Sequence, residues 1–375
     1  MRPFGYFVHH QGRGHAERCA AIANALPPGR PVTIFCARDD IFPALPPQAR
    51  IVRIPSLFEA DSAGPPALDV ARTPASMHCA PLGWRTVRDA MAAMSRWWAE
   101  ADPALMVVDV SAEVAQMARL CSVPVVKVLQ HGDRSDPGHM LAYESAVGIL
   151  APYDARLEQP GRPDWMRRIT HHAGGLGVGG RPLPPRADAR RALGTPDDGT
   201  VCIVISGGGG NGTPLAPLTM AARAMPDVRF HVIGEIAREW HETVPGNLCL
   251  HGWVDRPEPF LSAADIFVAS TGNTTCHRIL ATGTPWVAIP EWRYFDEQIE
   301  KGRALARAGV AHLCETWPAT PQAWRAAFAN ARACDPAAAR AMVDPCADEN
   351  AAAWLENLAR RIWAGGGAVL PVAAE

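Results

Sequence analysis

The segment His9-His10-Gln11-Gly12-Arg13-Gly14-His15 sets an imidazole directly behind a Gly-x-Gly turn. Gly12 and Gly14 permit a tight turn and close approach of a ligand to the backbone. An imidazole titrates near neutrality, so His15 has the chemistry of a general base. A helix-start histidine that only hydrogen-bonds its own loop fits the same residues. The dinucleotide fingerprint G-x-G-x-x-G is not completed, because Glu17 stands where the third glycine belongs. Asp109 follows the apolar run 105–108. A carboxylate there can hold His15 in one tautomer and stabilise its protonated form. Capping a helix is the alternative role for Asp109.

Two further segments suit an anionic ligand. In Ser206-Gly207-Gly208-Gly209-Gly210-Asn211-Gly212, consecutive glycines expose N–H groups that can cradle phosphate, or simply form a turn. No Walker lysine is present. Ser270-Thr271-Gly272-Asn273-Thr274-Thr275 combines hydroxyls with the free N–H groups of a helix start, which bind anions without a lysine. Glu291, Asp296, Glu297 and Gln298 follow the next apolar run and suit hydroxyl recognition, as in a sugar. A solvated first helical turn explains the same acids.

Each of these segments follows a short apolar run, so a parallel α/β sheet must position them. Strands are predicted at 4–8, 32–36, 51–54, 105–108 and 125–129, then at 201–205, 229–233, 266–269 and 286–289. One helix is predicted to start at His15, with Ala16, Cys19, Ala20, Ala23 and Leu26 on one face, and helical patterns lie near 84–99 and 113–120. The Pro-rich stretch 56–81 reads as a functional or mobile loop. Trp84, Met91, Met94, Trp97 and Trp98 lie on or near one helix, either as core or as a membrane-facing patch.

The 375 residues suggest two domains at about 150 residues each. We expect a first domain at 1–173, a Gly/Pro-rich linker at 174–186 and a second domain at 187–345. A helix at 346–364 is expected to pack back toward the first domain, with a flexible tail at 365–375. The chain is 48% hydrophobic with a net charge of −2. That excludes wholesale disorder and gives no basic field for nucleic acid. Lysine occurs only at Lys127 and Lys301. Ten cysteines form no C-x-x-C pair, so a structural zinc site is not expected and reduced thiols in the cytoplasm are. No signal peptide or membrane span is evident.

As a set, these motifs resemble GT-B glycosyltransferases, especially family 28 and the UDP-glycosyltransferase superfamily. Gly252-Trp253-Val254 resembles their loop beside the nucleotide base. Ala264-Asp265 with residues 270–275 resembles their diphosphate turn. Glu297-Gln298 resembles the pair that contacts the donor sugar, and Gly12-x-Gly14-His15 their acceptor-side loop. Where family 28 members often carry a ribose-binding Glu, this chain has Arg278. The resemblance implies two Rossmann-like domains facing across a cleft. It also implies transfer of a sugar from a nucleotide-diphosphate donor to an acceptor hydroxyl, with inversion.

His15 would be the base and Asp109 its support. Gly207, Gly208, Gly209, Asn211 and residues 271–275 would hold the diphosphate, with Gly252, Trp253, Val254 and Arg278 on the nucleoside. Glu291, Asp296, Glu297 and Gln298 would take the sugar. Gly12, Arg13, Gly14 and His131 would lie on the acceptor side; His131-Gly132-Asp133 and His139 fit a structural role equally. No D-x-D motif is evident, so no metal is expected. No cofactor is expected beyond the co-substrate, a UDP-sugar first. The acceptor is a small molecule, a glycan or a lipid-linked compound, the last implying contact with the inner face of a membrane. A non-hydrolysing sugar-nucleotide epimerase and a non-catalytic sugar-nucleotide binder share these features; a nicotinamide enzyme would reveal itself by cofactor absorbance.

Overall fold

The computed structural model describes residues 1–60, 65–178, 182–195, 198–206, 212–237 and 243–364, and elements are counted among these. The chain divides into two compact units. The first comprises Met1–Pro152, Pro160–Gly177 and Cys346–Glu375. The second comprises Tyr153–Gln159 and Val178–Pro345. Each unit is α/β and built on one parallel sheet.

The first unit contains β1 (Phe4–Phe7), β2 (Val32–Cys36), β3 (Ala49–Arg53), β4 (Leu105–Val108), β5 (Val125–Val128), β6 (Gly148–Ala151) and β7 (Thr170–His172). Their spatial order is β3-β2-β1-β4-β5-β6-β7. The order reverses between β1 and β4, which pair from Phe4↔Leu105 to Phe7↔Val108. A crevice opens at such a reversal, outside the carboxyl ends of the strands. Both strands end in register there, so the residues after Phe7 and after Val108 emerge side by side.

Alternation along the strands builds two cores. Phe4, Tyr6, Leu105 and Val107 face the helix Arg13–Ala25 and the C-terminal helix Ala347–Trp363. Phe7, Met106 and Val108 face the helices Arg85–Ala101 and Ala112–Leu120. Gly5 leaves room for Trp97, since a Cβ there would meet its ring at 2.8 Å. Met94, Trp97 and Trp98 are buried in this core, and Met91 packs against it. This corrects the membrane-facing reading of that helix: these side chains cover the sheet. The Ala347–Trp363 helix is fixed by a bidentate Arg30–Glu356 pair at 2.6 and 2.7 Å.

The described part of the 56–81 stretch is fastened rather than loose. His78 and Cys79 donate backbone N–H groups to Glu113 Oε1 at 2.9 and 2.6 Å. Gln116 Nε2 donates to Ser76 O at 3.2 Å.

The second unit contains β8 (Thr200–Ile205), β9 (Thr213–Pro214), β10 (Val228–Ile233), β11 (Ile236–Ala237), β12 (Leu248–Gly252), β13 (Ile266–Ala269), β14 (Trp286–Ala288) and β15 (His312–Leu313). Six of these form a sheet in the order β12-β10-β8-β13-β14-β15, and β11-β9 form a small pair. The reversal lies between β8 and β13, which end at Ile205↔Ala269. Alternate residues of the central strands pack on the helices Leu215–Ala224 and Pro321–Arg332. Among the described residues, no helix is long and apolar enough to cross a membrane.

Candidate active site

In the first unit, His15 is the third residue of the helix Arg13–Ala25, just past β1. Gly12 precedes that helix at φ 81°, a conformation only glycine adopts freely. Asp109 follows β4 and is wholly buried. The two meet at the strand-order reversal: His15 Nδ1 lies 3.1 Å from Asp109 Oδ1. The helix Ala112–Leu120 is capped by Ser111, which accepts from Val114 N, so Asp109 is not its cap.

A third group completes this cluster. Arg18, one helical turn beyond His15, is buried and grips Asp109 with a fork: Nε donates to Oδ2 at 2.8 Å and Nη2 to Oδ1 at 2.9 Å. Nη2 also stands 2.6 Å from His15 Nδ1. Burial alone would raise the Asp109 carboxyl, but Arg18 and His15 outweigh it and hold it well below the usual carboxylate range. The Nδ1 contacts demand opposite tautomers. Asp109 accepts a proton from Nδ1, whereas a guanidinium donates to a lone pair there. The helical spacing of Arg18 to His15 was the available sequence signal for this residue.

Val110 follows Asp109 with φ 88°, which is strained for a β-branched residue. Its carbonyl accepts from buried Lys127 Nζ at 2.9 Å. Burial pushes the Lys127 ammonium down to about 7, against the nearby Asp109 charge. The unfolded chain therefore binds this proton more tightly between about pH 7 and the ordinary lysine range near 10. Stability is expected to rise with pH across that window, by at most about 1.4 kcal/mol per pH unit from this group. Lys127→Met should flatten that rise in urea midpoints taken at pH 7 and pH 9. An unchanged slope would mean that Lys127 does not titrate there.

The other acceptor-side residues are placed as follows. Gly12 and Arg13 are exposed, Gly14 is half-buried, and His131 is buried past β5. Arg134 Nε donates to the His131 carbonyl at 3.3 Å. Among the described residues, His78, Asp136 and His139 have the spacing of metal ligands. However, the Arg134 guanidinium stands 3.2 Å from His139 Nε2, where its positive charge opposes a cation. Asp136 caps its helix through His139 N and also holds His139 Nδ1 at 2.5 Å.

In the second unit, Ser206 and Ser270 emerge beside each other past β8 and β13. Gly207, Gly208, Gly209 and Asn211 lie outside the described residues. Gly234 must be glycine, since a Cβ would sit 2.6 Å from the Ser206 carbonyl. After β13, Gly272 precedes the helix Asn273–Thr282, whose start has no side-chain cap. Thr274 and Thr275 lie half-buried in its first turn. The buried Ser270 Oγ and Asn273 Nδ2 have no hydrogen-bond partner among the described residues. Asn273 Oδ1 accepts from buried Lys301 Nζ at 2.7 Å. Lys301 was missed in the sequence because it lies four residues beyond Glu297, on the inner face of the next helix.

Gln298 is a brace. Its Oε1 accepts from Thr271 N at 3.1 Å and from Glu291 N at 2.9 Å. The Thr271 hydroxyl donates to the Gln298 carbonyl at 2.6 Å. Glu291 pairs with Arg293 at 2.8 Å. Asp296 is exposed and Glu297 half-buried at the start of the helix Glu297–Arg307. Gly252 ends β12 at φ 67°; Trp253 is 55% exposed, Val254 half-buried and Arg278 half-buried on the helix after the turn. Asp265 lies at the opposite end of β13 from the turn, where its Oδ2 accepts from Val201 N at 2.8 Å.

No family model matches the chain. It is 29% identical over 135 residues to a UDP-N-acetylglucosamine–N-acetylmuramyl-(pentapeptide) pyrophosphoryl-undecaprenol N-acetylglucosamine transferase of Salinibacter ruber, covering 33% of this chain and 35% of that protein. The transferase of the same name from Desulforudis audaxviator is 30% identical over 161 residues, covering 38% and 43%. The matches thus span well under half of these relatives. Among solved structures, the glycotransferase of kitacinnamycin has a TM-score of 0.65 at 16% identity, covering 95% of this chain and 99% of that one. MurG of Acinetobacter baumannii has 0.60 at 16%, covering 95% and 99%. A spinosyn rhamnosyltransferase complexed with thymidine diphosphate has 0.60 at 18%, covering 96% and 100%. The chain thus has the GT-B glycosyltransferase fold and resembles the family 28 and UDP-glycosyltransferase groups within it.

Proposed function

We propose that the chain transfers a sugar from a nucleoside-diphosphate donor to an acceptor hydroxyl, with inversion and without a metal ion. The observation that carries this reading is the His15–Asp109 pair at the carboxyl edge of β1 and β4. With the Nδ1 proton donated to Asp109, His15 Nε2 keeps a lone pair and takes the acceptor hydroxyl proton. The acceptor oxygen then bonds the anomeric carbon as the bond to the diphosphate breaks. The nucleoside diphosphate departs with that electron pair. In this state Arg18 bonds Asp109 alone.

Charge on the departing diphosphate is met by the uncapped helix start at Asn273, Thr274 and Thr275, and by Gly207, Gly208, Gly209 and Asn211. Gly252, Trp253, Val254 and Arg278 take the nucleoside; Glu291, Asp296 and Glu297 take the sugar hydroxyls, over a loop braced by Gln298. Gly12, Arg13, Gly14 and His131 form the acceptor side. The donor is a UDP-sugar, with thymidine diphosphate sugars next to test. A lipid-linked acceptor, like that named for the relatives, would bring the chain to a membrane surface.

The test is release of nucleoside diphosphate from UDP- and TDP-sugars in the presence of hydroxyl acceptors, with the product anomer read by NMR. We expect acceptor-dependent release, inverted configuration and no loss on chelation. Retained configuration or loss on chelation would contradict the mechanism. Thr275→Ala is expected to weaken UDP binding about tenfold, the weight of one hydrogen bond to a charged group. Unchanged affinity by calorimetry would mean that the turn does not hold the diphosphate.

A further inference from the structure

We propose that Trp292 and Tyr294 form a stacking face for the pyranose ring of the donor, and so select the sugar rather than the nucleotide. The inference rests on the donor-site reading above. Both side chains are 73% exposed. They meet edge to face, with ring centroids 4.9 Å apart and planes at 62°. Large aromatics left in water forgo substantial burial, so an exposed pair calls for an occupant.

The loop that carries them is fastened, not slack. Arg293 Nη2 holds Glu291 Oε2 at 2.8 Å, and Nη1 donates to the Trp292 carbonyl at 2.7 Å. At the loop's root, Glu291 N donates to the same Gln298 oxygen that takes Thr271 N. The aromatic pair is thus tied through one side chain to the helix-start turn. At its far end, Phe295 and Asp296 hold φ of 62° and 55° in succession. Two adjacent left-handed non-glycine residues are strained, and such strain gathers at ligand sites.

The surroundings choose the occupant. Glu291, Arg293, Asp296 and Glu297 flank the rings in sequence. A purely apolar partner would strand these charges. A sugar ring offers C–H groups on its face and hydroxyls at its edge. It can lie on an aromatic surface while carboxylates accept its hydroxyl protons.

Calorimetry with the full chain separates the parts. The ligands are UDP, UDP-glucose and UDP-N-acetylglucosamine, with thymidine diphosphate and its glucose conjugate as a second set. Trp292→Ala and Tyr294→Ala are each expected to weaken the bound sugar nucleotide about tenfold, while the matching diphosphate stays within about twofold. Trp292→Phe should restore most of the loss. Equal weakening of both ligands, or no change in either, would overturn the stacking face and leave the diphosphate site standing. Failure of the unmodified chain to bind any of the five ligands would overturn the donor-site reading and the stacking face with it.

Discussion

His15→Ala is expected to lower sugar transfer by about 10²–10⁴-fold, the usual weight of a positioned general base. Affinity for the nucleoside diphosphate should stay nearly unchanged, because His15 belongs to the first unit and the proposed diphosphate turn to the second. The fall should appear in kcat rather than in donor KM, since the proton leaves only as the new bond forms. Turnover that survives the substitution would remove His15 from the base role. The side chain is only part-buried, so its loss should leave folding largely intact.

Asp109→Asn is expected to destabilise the first unit by about 3–5 kcal/mol, because it leaves the Arg18 guanidinium buried without its counter-charge. Urea unfolding at pH 7 measures this directly. The pH dependence has a defined sign. The folded carboxyl lies below its unfolded value, so its stabilisation is present in full above the ordinary carboxylate range near ~4. It is lost as pH falls below that range. The gap between wild type and Asp109→Asn should therefore narrow in acid. A constant gap down to pH 3 would contradict the ion pair's weight. A double variant, Arg18→Leu with Asp109→Leu, should recover much of the stability, since a buried pair replaced by apolar side chains is often neutral. It should still lack transfer, because no acceptor for the His15 Nδ1 proton remains.

Much of the architecture was legible because the central strands are continuous apolar runs that end abruptly in Gly, Ser, His or Asp. The strands at 32–36, 105–108 and 266–269 were placed to the residue. Those missed were Gly148–Ala151, Thr170–His172, Leu248–Gly252 and His312–Leu313 in the two main sheets, and the two-residue strands Thr213–Pro214 and Ile236–Ala237. Of the four in the main sheets, three are edge strands, where polar histidines are tolerated and the hydrophobic signal fades. The fourth, Gly148–Ala151, is short, and its first residue is the glycine against which Trp354 and Leu358 pack.

The site divides along the same physical line. His15 and Asp109 were legible as candidates because Asp109 closes one apolar run and His15 follows the glycine turn after another, both at the carboxyl edge of the sheet. Arg18, Lys127 and Lys301 were not, because a buried cation looks like a surface one in sequence; the helical spacing to His15 hints at Arg18, and only their tertiary partners mark the two lysines. The type of Gln298 suits a sugar hydroxyl, and that expectation stands beside a bracing role that the sequence does not reveal. Its side-chain Oε1 accepts from two backbone N–H groups that hold the loop.

The most direct test of the central claim is the melting temperature of the chain with nucleoside diphosphates and their sugar conjugates. A ligand that binds only the folded state adds about 2.7 kcal/mol of stability at a hundredfold excess over its Kd. The expected result is a rise with one base and its sugar conjugates, and none with the others. No rise with any of them at millimolar concentration would contradict a nucleotide-sugar glycosyltransferase.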